Sequence, residues 1–586
     1  MNNVKKRAKT KKTESSLYRG RYRLMQTLFV VAMALVSGRI AYLQVAQRPF
    51  LQSEGDKRAV REETVPAHRG VIFDRHGSPL AVSTQVVSLW ADPQILLDHQ
   101  ERIDELGRAL KMTPDTLFSS LKQAAGRNFF YLKRHMQPTA ASKVLAMNIP
   151  GLNEAHEYRR YYPAGETAAQ LVGLTNIDDH GQEGMELALD RQLAGAPGRV
   201  RFVKDRQGRV ISRGNVLKSA EPGSAVYLSI DLRLQYLAYK ALLKAVRKHK
   251  ARSGSLVMLD PASGEVLAMV NQPSFNPNKR SQLNRSGIRN RAATDQFEPG
   301  SVVKPFIIAA ALQSHRYTLD SIIDTNPGVL RVGRDTVRDG RNYGLLNLAG
   351  ILIKSSNVGV TKLAMDIGPE TIVRLFHSVG FGQPTGTLFP GESGGFIPVR
   401  RKWRAIETAT LSFGYGLSVS ALQLAKGYAI LANGGHDVQV TLLKSDRPDA
   451  LAATHQVIST EVSEKVLAMM AGVTGPRGTA RRAAIAGYTV AGKTGTVKKI
   501  GANGYSANNH VALFVGAVPA QQPRLVMVVV IDDPQAGEYY GGAVAAPVFA
   551  QVARQAMHIL GVPEQQNTAP PPIATGPGSQ TGGTKR

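Results

Sequence analysis

An apolar run near the N-terminus, residues 24–45, constrains this chain more than any other feature. As a helix, such a run would be about 33 Å long, which matches the hydrocarbon core of a bilayer. Residues 1–23 before it carry nine lysines and arginines against one acid, Glu14. Because positively charged flanks stay in the cytoplasm, the sequence predicts a cytoplasmic basic tail, a membrane span and an exported remainder.

A cleaved signal peptide is the alternative interpretation of this run. Its apolar region would be shorter and would end at a small-x-small cleavage site. Val36-Ser37-Gly38 is a poor version of such a site, and the apolar character continues past it to Leu43. We therefore interpret residues 24–45 as an uncleaved signal anchor. Arg39 lies inside the run, where it either snorkels to the outer surface or contacts another transmembrane helix.

The charge of the chain narrows its possible partners. Lysine and arginine number 73 against 44 acidic residues, a formal net charge of +29. Such a charge suits an anionic partner, and the export signal favours anionic lipid or anionic wall polymer over nucleic acid. Cysteine is absent, which excludes disulfides and thiolate ligands, and no histidine–carboxylate cluster has metal-ligand spacing. The sequence predicts neither a metal site nor a cofactor.

Composition divides the exported part into three regions. Residues 46–221 contain many short elements separated by glycine and proline, which indicates a mixed domain. Residues 222–562 are predicted to form a larger α/β (α+β) module. Residues 563–586 are rich in Pro, Gly, Thr and Gln, lack apolar periodicity and are predicted to be disordered.

The larger module has strand patterns near both of its ends. Asp231 is the predicted N-cap of a helix that ends near Lys248, and Pro547 lies in the first turn of a predicted closing helix. The strand patterns predict an antiparallel sheet with helices between its two halves. They lie at residues 225–230, 255–260, 265–271, 488–497, 510–518 and 524–531.

Ser301-Val302-Val303-Lys304 is the first of three short motifs with chemical potential. Glu298-Pro299-Gly300 forces a turn before it and an apolar helix pattern follows, so Ser301 is predicted at a helix N-terminus. A serine hydroxyl needs a base to act as a nucleophile, and Lys304 can be that base if burial lowers its pKa. Alone the motif is weak, because the same spacing recurs at Ser119–Lys122. An N-cap serine beside a solvated lysine is the plain alternative.

Two further motifs complete the pattern. Ser355-Ser356-Asn357 follows an apolar stretch and precedes a predicted helix, so its loop can present Ser355 as a proton shuttle and Asn357 as an amide donor. Lys493-Thr494-Gly495 lies in a predicted strand, where a glycine allows close approach of a substrate backbone. A helix cap and an ordinary edge strand are the respective alternatives. Together the three motifs describe a serine acyltransferase of the kind found in penicillin-binding proteins and class A β-lactamases.

The chain resembles the class B penicillin-binding proteins over almost its whole length. Within that family it is most similar to the septal, cell-division D,D-transpeptidases of the penicillin-binding protein 3 type, or to a close paralogue of them. Besides the three motifs, the resemblance rests on Arg69-Gly70-Val71-Ile72-Phe73-Asp74-Arg75-His76-Gly77, Arg160-Tyr161-Tyr162-Pro163-Ala164-Gly165, Gly184-Met185-Glu186, Phe297-Glu298-Pro299-Gly300-Ser301 and Tyr415-Gly416-Leu417-Ser418.

The resemblance implies peptidoglycan cross-linking through a serine acyl-enzyme. Ser301 would attack a D-alanyl-D-alanine stem peptide, or a β-lactam that mimics it, with Lys304 as general base. Ser355, oriented by Lys493, would pass a proton to the leaving amine, and Asn357 would hold the donor peptide. The remaining substrate-binding positions would be Thr494, Gly495 and Thr496, with the two threonines on the donor carboxylate.

The resemblance also implies a location and partners. The protein would be a single-pass protein of the bacterial inner membrane, with its bulk in the periplasm and its place at the division septum. Its partners would be a polymerising glycosyltransferase and small bitopic division proteins. Residues 46–221 would be the family's elongated, non-catalytic pedestal. Arg69, Asp74 and Arg75 would form buried ion pairs that join this pedestal to the catalytic domain.

Other classes stay open at this stage. A β-lactamase would need a deacylating glutamate, and the middle motif has Ser356 where class A enzymes have aspartate. A bifunctional enzyme would need a glycosyltransferase domain, whose glutamate-bearing signature is absent from residues 46–221. An elongation-type class B enzyme is closer, although Asn357 favours the division type. A conditional paralogue, or a protein that acts mainly in assembly of the division complex, remains compatible with the sequence.

Overall fold

The structure is a computed structural model. It describes residues 4–204, 210–283, 285–445, 455–501 and 504–565. The chain begins with a long helix α1 (Val4–Val45), followed by α2 (Arg48–Ala59). Within the described residues, one segment is long and apolar enough to cross a membrane, Arg19–Val45. Its apolar side chains are exposed, Leu35 by 70%, which suits a segment whose surroundings are lipid rather than protein.

The first module has two principal sheets. The short sheet nearest the N-terminal helices has the strand order β1-β8-β9, and a larger sheet centres on β3, which pairs with β2, β4 and β5. The elements are β1 (Val60–Val65), β2 (Ile72–Phe73), β3 (Pro79–Ala91), α3 (Pro93–Asp98), α4 (Ile103–Leu110), α5 (Pro114–Gln123), β4 (Phe130–Met136), α6 (Pro138–Leu145), β5 (Leu152–Tyr161), α7 (Ala169–Val172), β6 (Leu174–Thr175), β7 (Gly181–Glu183), α8 (Gly184–Ala188), α9 (Asp190–Leu193), β8 (Gly198–Lys204) and β9 (Val210–Lys218).

The second module contains a five-stranded sheet and most of the helices. Its elements are β10 (Val226–Tyr227), α10 (Leu232–Lys248), β11 (Ser253–Leu259), β12 (Val266–Gln272), α11 (Arg285–Ile288), α12 (Arg291–Thr294), α13 (Lys304–Gln313), β13 (Ile322–Asp324), β14 (Val329–Val332), β15 (Asp335–Arg338), β16 (Leu345–Asn347), α14 (Leu348–Lys354), α15 (Asn357–Ile367), α16 (Pro369–Ser378), α17 (Ala405–Ser412), α18 (Ala421–Ala432), α19 (Thr460–Thr474), β17 (Ala491–Gly501), β18 (Gly504–Val518), β19 (Leu525–Asp532), α20 (Gly541–Val544) and α21 (Ala546–Ile559).

The five-stranded sheet confirms the predicted antiparallel arrangement. Its order is β12-β11-β19-β18-β17, with every neighbouring pair antiparallel. Helices α10 and α21 cover one face, where Phe514 of β18 contacts Phe549 of α21 at 4.8 Å between ring centroids. The other face packs on α18 and on the turn before α13. Strand β17 therefore has a free edge beside the helical part of the module.

Most predicted elements of the second module are confirmed. Asp231 caps α10 by accepting a hydrogen bond from the Arg233 backbone N–H at 2.9 Å. The predicted strand at residues 225–230 is the exception, because only Val226–Tyr227 is extended and it pairs in parallel with β2 of the first module. Gly70 allows this pairing between the modules. A Cβ on Gly70 would lie 2.0 Å from the Ser224 carbonyl oxygen, so the two segments pass close to each other just before β10 pairs with β2.

The predicted ion pairs between the modules are partly wrong. Arg69 is buried, but it bonds Glu186 at 2.7 Å and Asp190 at 2.7 Å, and both acids belong to the first module. Arg75 does join the modules through Glu265 at 3.0 Å. Asp74 joins them by accepting the Leu232 backbone N–H at 3.2 Å, a hydrogen bond rather than an ion pair. Arg69 therefore contributes to the interior of the first module, and Asp74 and Arg75 are among the residues that join the two modules.

The C-terminal segment follows the second module closely up to its last described residue. Gln565 donates its backbone N–H to the Gly487 carbonyl at 2.8 Å, and its side chain accepts the Thr489 N–H at 2.9 Å. Residues 566–586, which make up most of the predicted disordered tail, lie outside the described residues.

Candidate active site

Ser301 lies in a short 3-10 turn, Gly300–Val303, that leads directly into α13. Gly300 has φ +59°, a left-handed conformation that favours glycine, and its N–H donates to the Gly414 carbonyl at 3.0 Å. Gly414 is held so close that a Cβ on it would lie 2.2 Å from the Gly300 oxygen. The tight turn leaves the Ser301 side chain half-buried at the start of a helix, as the sequence predicts.

Lys304 opens α13 and is completely buried. Its Nζ donates to the Ser355 carbonyl at 2.6 Å and to Asn357 Oδ1 at 2.8 Å, and it lies 3.3 Å from Ser355 Oγ. Burial lowers the pKa of this amine well below its ordinary value, and the nearby charge of Lys493 lowers it further. A neutral amine is thus available at a pH where a surface lysine would be protonated. The alternative interpretation, in which Lys304 is a solvent-exposed lysine on the surface, is therefore excluded.

Ser355 occupies a strained position between two helices. It ends α14 with φ 58°, a conformation that is uncommon outside glycine and costs of order 1 kcal/mol or more. Ser356, not Ser355, is the cap of α15, because its Oγ accepts the Gly359 N–H at 2.9 Å. The middle serine of the motif therefore performs the structural role. Ser355 Oγ is free to face Lys304 and Lys493.

Lys493 comes from the edge strand β17 and is also completely buried. Its Nζ donates to Ser355 Oγ at 2.9 Å and to the Thr494 carbonyl at 3.2 Å. Burial lowers its pKa to about 7. The hydroxyl of Ser355 therefore lies between two buried amines, one from α13 and one from the sheet. The three motifs, which are up to 192 positions apart in the chain, meet at this hydroxyl.

The strand face that carries Lys493 also explains Gly495. A Cβ on Gly495 would lie 3.1 Å from the Pro299 carbonyl oxygen and 3.1 Å from Val302 Cγ1. The glycine thus allows close packing of the strand against the Ser301 turn. Its role in the approach of a substrate backbone stays a prediction. Thr494 and Thr496 lie on the other face. Thr494 Oγ1 is 3.0 Å from Thr479 Oγ1, and Thr496 Oγ1 accepts the Gly541 N–H at 3.0 Å.

Asp339 is a site residue that sequence reasoning missed. It follows β15 and accepts hydrogen bonds from Ser356 Oγ at 2.5 Å, the Asn357 N–H at 2.5 Å and the Val358 N–H at 3.0 Å. Its carboxylate thus covers the N-terminus of α15, where negative charge is stabilising. The adjacent Arg338 carbonyl accepts Asn357 Nδ2 at 3.0 Å. No local pattern around Asp339-Gly340 marks this role, since it depends on a contact with a distant helix.

Glu298 connects the serine turn to two other segments. Its Oε1 accepts the Gly416 N–H at 2.8 Å and the Tyr505 hydroxyl at 2.9 Å. Burial raises the pKa of this carboxyl. The loop at residues 414–418 and the β17–β18 hairpin are thereby attached to the segment that presents Ser301.

The geometry defines a serine acyltransferase site. A half-buried serine at a helix start lies one turn from a buried lysine, and that lysine shares a second serine with another buried lysine. The described residues contain no group of three or more histidine, cysteine or acidic side chains arranged to hold a metal. The chemistry available from these side chains is proton transfer and nucleophilic attack.

Comparison with known proteins agrees with this geometry. The family model of the penicillin-binding protein transpeptidase domain matches residues 254–554, and that of the penicillin-binding protein dimerisation domain matches residues 64–228. Probable peptidoglycan D,D-transpeptidase PbpC of Pseudomonas aeruginosa is 41% identical over 94% of this chain and 98% of its own. Peptidoglycan D,D-transpeptidase FtsI of Escherichia coli is 41% identical over 95% of this chain and 93% of its own.

A solved structure extends the likeness to three dimensions. Penicillin-binding protein 3 from Mycobacterium tuberculosis, in complex with aztreonam, superposes with a TM-score of 0.66 at 27% identity, over 86% of this chain and 99% of that one. The chain belongs to the class B penicillin-binding proteins, in which a dimerisation domain precedes a transpeptidase domain.

Proposed function

We propose that this peptidoglycan D,D-transpeptidase cross-links stem peptides through an acyl-enzyme on Ser301. The observation that supports this most directly is the shared contact of Lys304 and Lys493 with Ser355 Oγ, at 3.3 Å and 2.9 Å. Relatives that are 41% identical are named for the same activity.

In the acylation step, neutral Lys304 takes the proton of the Ser301 hydroxyl. Ser301 Oγ then attacks the carbonyl carbon of the penultimate D-alanine. The backbone N–H groups of Ser301 and Thr496 stabilise the developing oxyanion, a contribution of about 3 kcal/mol for each donor in comparable sites. The C–N bond breaks, and the last D-alanine leaves as an amine after it receives a proton through Ser355. Lys493 orients that hydroxyl.

In the second step, an acceptor amine replaces the ester at Ser301. The amine nitrogen attacks the acyl carbon, its proton returns through Ser355 and Lys304, and Ser301 regains its hydroxyl as the new amide forms. Asn357 holds the donor peptide, and the hydroxyls of Thr494 and Thr496 bind its carboxylate. Their present bonds to Thr479 and Gly541 keep both hydroxyls fixed beside the free edge of β17. β-Lactams enter the same path and stop at the acyl-enzyme.

We further propose the cellular setting. Residues 24–45 anchor the protein in the bacterial inner membrane, with residues 1–23 in the cytoplasm. Residues 46–221 serve as the pedestal, residues 222–562 as the transpeptidase domain, and the segment after them as a tail. The relative in Escherichia coli carries a cell-division name, and on that basis we place the enzyme at the septum with a glycosyltransferase and bitopic division proteins.

Fluorescent penicillin tests the proposed site. The full-length protein in detergent should acquire one covalent label that persists for hours, and Ser301→Ala should acquire none. Ser119→Ala is a matched control, because Ser119–Lys122 has the same Ser-x-x-Lys spacing but lies on the exposed helix α5. Label that is lost within seconds would instead identify a β-lactamase. Persistent label on Ser301→Ala would place the nucleophile elsewhere.

Two cellular experiments test the setting. The gene should restore division to cells depleted of their septal transpeptidase, whereas restoration of rod shape alone would indicate an elongation-type enzyme. The natural absence of cysteine allows single-cysteine labelling. In intact spheroplasts, a membrane-impermeant maleimide should label Lys122→Cys in the first module and spare Ser15→Cys in the basic tail. Labelling of Ser15→Cys would reverse the proposed orientation.

A further inference from the structure

The hairpin of β14 and β15 carries an unusual concentration of exposed positive charge. Four arginines lie on it or at its end, and none is paired with a carboxylate in the part of the chain that the structure describes. They are Arg331, Arg334, Arg338 and Arg341. The turn between the strands contains Gly333, with φ +63°, and presents Arg334 at the tip. The hairpin is thus a rigid carrier of four cations.

A second basic segment precedes helix α17. Residues 399–404 contain four exposed cations, which are Arg400, Arg401, Lys402 and Arg404. Arg400 and Arg404 share a single acid, Glu407, at 3.7 Å and 3.1 Å. Arg401 and Lys402 have no carboxylate partner among the described residues.

A small hydrophobic cluster holds the two basic segments together. Val332 and Val337 of the hairpin pack on Ala409 of α17, and the partly buried Ile406 and Phe413 flank them. The eight cations therefore belong to two segments that meet at one satellite core, and we call them together the basic ridge. Three acids, Asp335, Asp339 and Glu407, offset part of this charge, so the ridge carries eight cations against three carboxylates.

The basic ridge lies beside the reacting groups. Arg338 accepts Asn357 Nδ2 on its carbonyl, so the hairpin contacts the middle motif directly. Lys354, immediately before Ser355, has its pKa lowered by burial and by the nearby charges of Arg341 and Arg477. Positive charge thus extends from the hairpin past the middle motif to the loop at Arg477.

We infer that the basic ridge binds the carboxylate-rich peptide stems of a peptidoglycan strand and guides that strand into the site. The inference rests on the proposed function and adds a substrate-binding surface to it. An excess of exposed cations attracts an anionic polymer at long range and binds it through several weak contacts. The adjacency of the ridge to Asn357 favours a polymer substrate over a lipid surface, because the substrate must pass this edge to reach Ser301.

The test uses full-length protein in detergent and isolated sacculi. The ridge variant combines Arg334→Glu, Arg401→Glu and Lys402→Glu. The control variant combines Lys244→Glu, Lys248→Glu and Arg554→Glu, which change the net charge equally on α10 and α21 at the other face of the sheet. Co-sedimentation with sacculi should show about tenfold weaker binding for the ridge variant at low salt, and a smaller difference near 0.3 M salt, where charges are screened. The control variant should bind like the wild type.

Three readouts separate the inference from its rivals. Acylation by fluorescent penicillin should remain within about twofold of wild type in the ridge variant, since no reacting group is changed. Sacculi whose carboxylates have been amidated should bind wild type as weakly as native sacculi bind the ridge variant. Vesicles of anionic phospholipid should show no comparable loss for the ridge variant.

Several outcomes would overturn the inference. These are equal binding of wild type and ridge variant, an equal loss in the control variant, undiminished binding to amidated sacculi, or a loss confined to lipid vesicles. Failure of the wild type to react with penicillin would instead contradict the proposed function, and that assay is independent of sedimentation.

Discussion

Lys304 Nζ donates a 2.8 Å hydrogen bond to Asn357 Oδ1. This bond fixes the orientation of the amide, with one N–H of Asn357 Nδ2 on the Arg338 carbonyl at 3.0 Å. The second N–H of that group is the one proposed to bind the donor peptide. It also places a neutral acceptor, rather than a carboxylate, against the buried amine. The pKa of Lys304 is lowered by burial and by the charge of Lys493 and is raised by Asp339, and the neutral amide of Asn357 adds no further charge.

Asn357→Asp should shift acylation toward higher pH. A carboxylate in place of the amide would stabilise the ammonium form of Lys304 and raise the pKa of that amine. We expect the rising limb of the penicillin acylation rate to move up by about one pH unit or more. Stopped-flow acylation over a range of pH measures this shift. Asn357→Ala, which removes the acceptor without adding charge, is the matched control, and equal midpoints for the two variants would contradict the argument.

Lys304→Ala should abolish acylation and leave the fold intact. The amine is the base for Ser301, and general-base catalysis of this kind contributes about 100-fold to 10,000-fold. The acylation rate and the circular dichroism spectrum of the variant are the measurements. A rate within about tenfold of wild type would show that another group takes the Ser301 proton.

Asp339→Asn should loosen the middle motif. The variant loses the charge that accepts the Ser356 hydroxyl and the N–H groups of Asn357 and Val358, at a cost of about 1–2 kcal/mol in unfolding free energy. We expect acylation to slow by about tenfold, because the Lys304 contacts depend on this loop. Asp335→Asn, on the exposed part of the same hairpin, should change neither quantity. If the two variants had the same unfolding free energy and the same acylation rate, the hydrogen bonds of Asp339 would not support the middle motif, and the argument would be wrong.

The two buried lysines should make stability depend on pH in a defined direction. Burial lowers the pKa of Lys493 from 10.5 to about 7. Between these values the unfolded chain binds more protons than the folded one, so the unfolding free energy rises with pH across that window. Lys493→Met removes this dependence. Its stability relative to wild type should be highest near pH 7 and should decline toward pH 10, and a constant difference in urea unfolding would contradict the burial.

Arg69→Met should destabilise the first module more than the active site. Arg69 and Glu186 are both buried, and removal of one partner of such a pair costs about 3–5 kcal/mol. Arg160 still bonds Glu186 at 2.6 Å and limits the loss. Thermal unfolding should begin at a lower temperature, whereas penicillin acylation at room temperature should match wild type. Arg75→Met, which breaks the bond to Glu265 between the modules, is the comparison. A parallel loss of acylation in Arg69→Met would mean that the first module supports the site.

Local signals in the sequence were sufficient for the elements that carry the site. Glu298-Pro299-Gly300 before an apolar run correctly indicated the turn and helix at Ser301, and the strand pattern around Lys493 correctly indicated β17. The order of three weak motifs then identified the copies that meet in space. Periodicity and turn chemistry are local properties, so a single sequence reveals them.

Contacts between distant segments could not be predicted in the same way. Three features depend on contacts across more than a hundred residues or between separate elements. They are the ion pairs of Arg69, the hydrogen bond from the Asn357 N–H to Asp339, and the pairing of residues 226–227 with the first module. Gly495 shows the same limit: the sequence marked it as a close-approach position, but its contact with Pro299 of the Ser301 turn could not be predicted from the strand pattern.

The most direct test of the account is a cross-linking reaction with defined substrates. Full-length protein would receive a stem peptide that ends in D-alanyl-D-alanine and a second stem peptide with a labelled side-chain amine. The account predicts a labelled peptide dimer, one free D-alanine for each cross-link, and neither product with Ser301→Ala. Release of D-alanine without any dimer, even at high acceptor concentration, would show that water and not an amine resolves the acyl-enzyme, and would contradict the assignment as a transpeptidase.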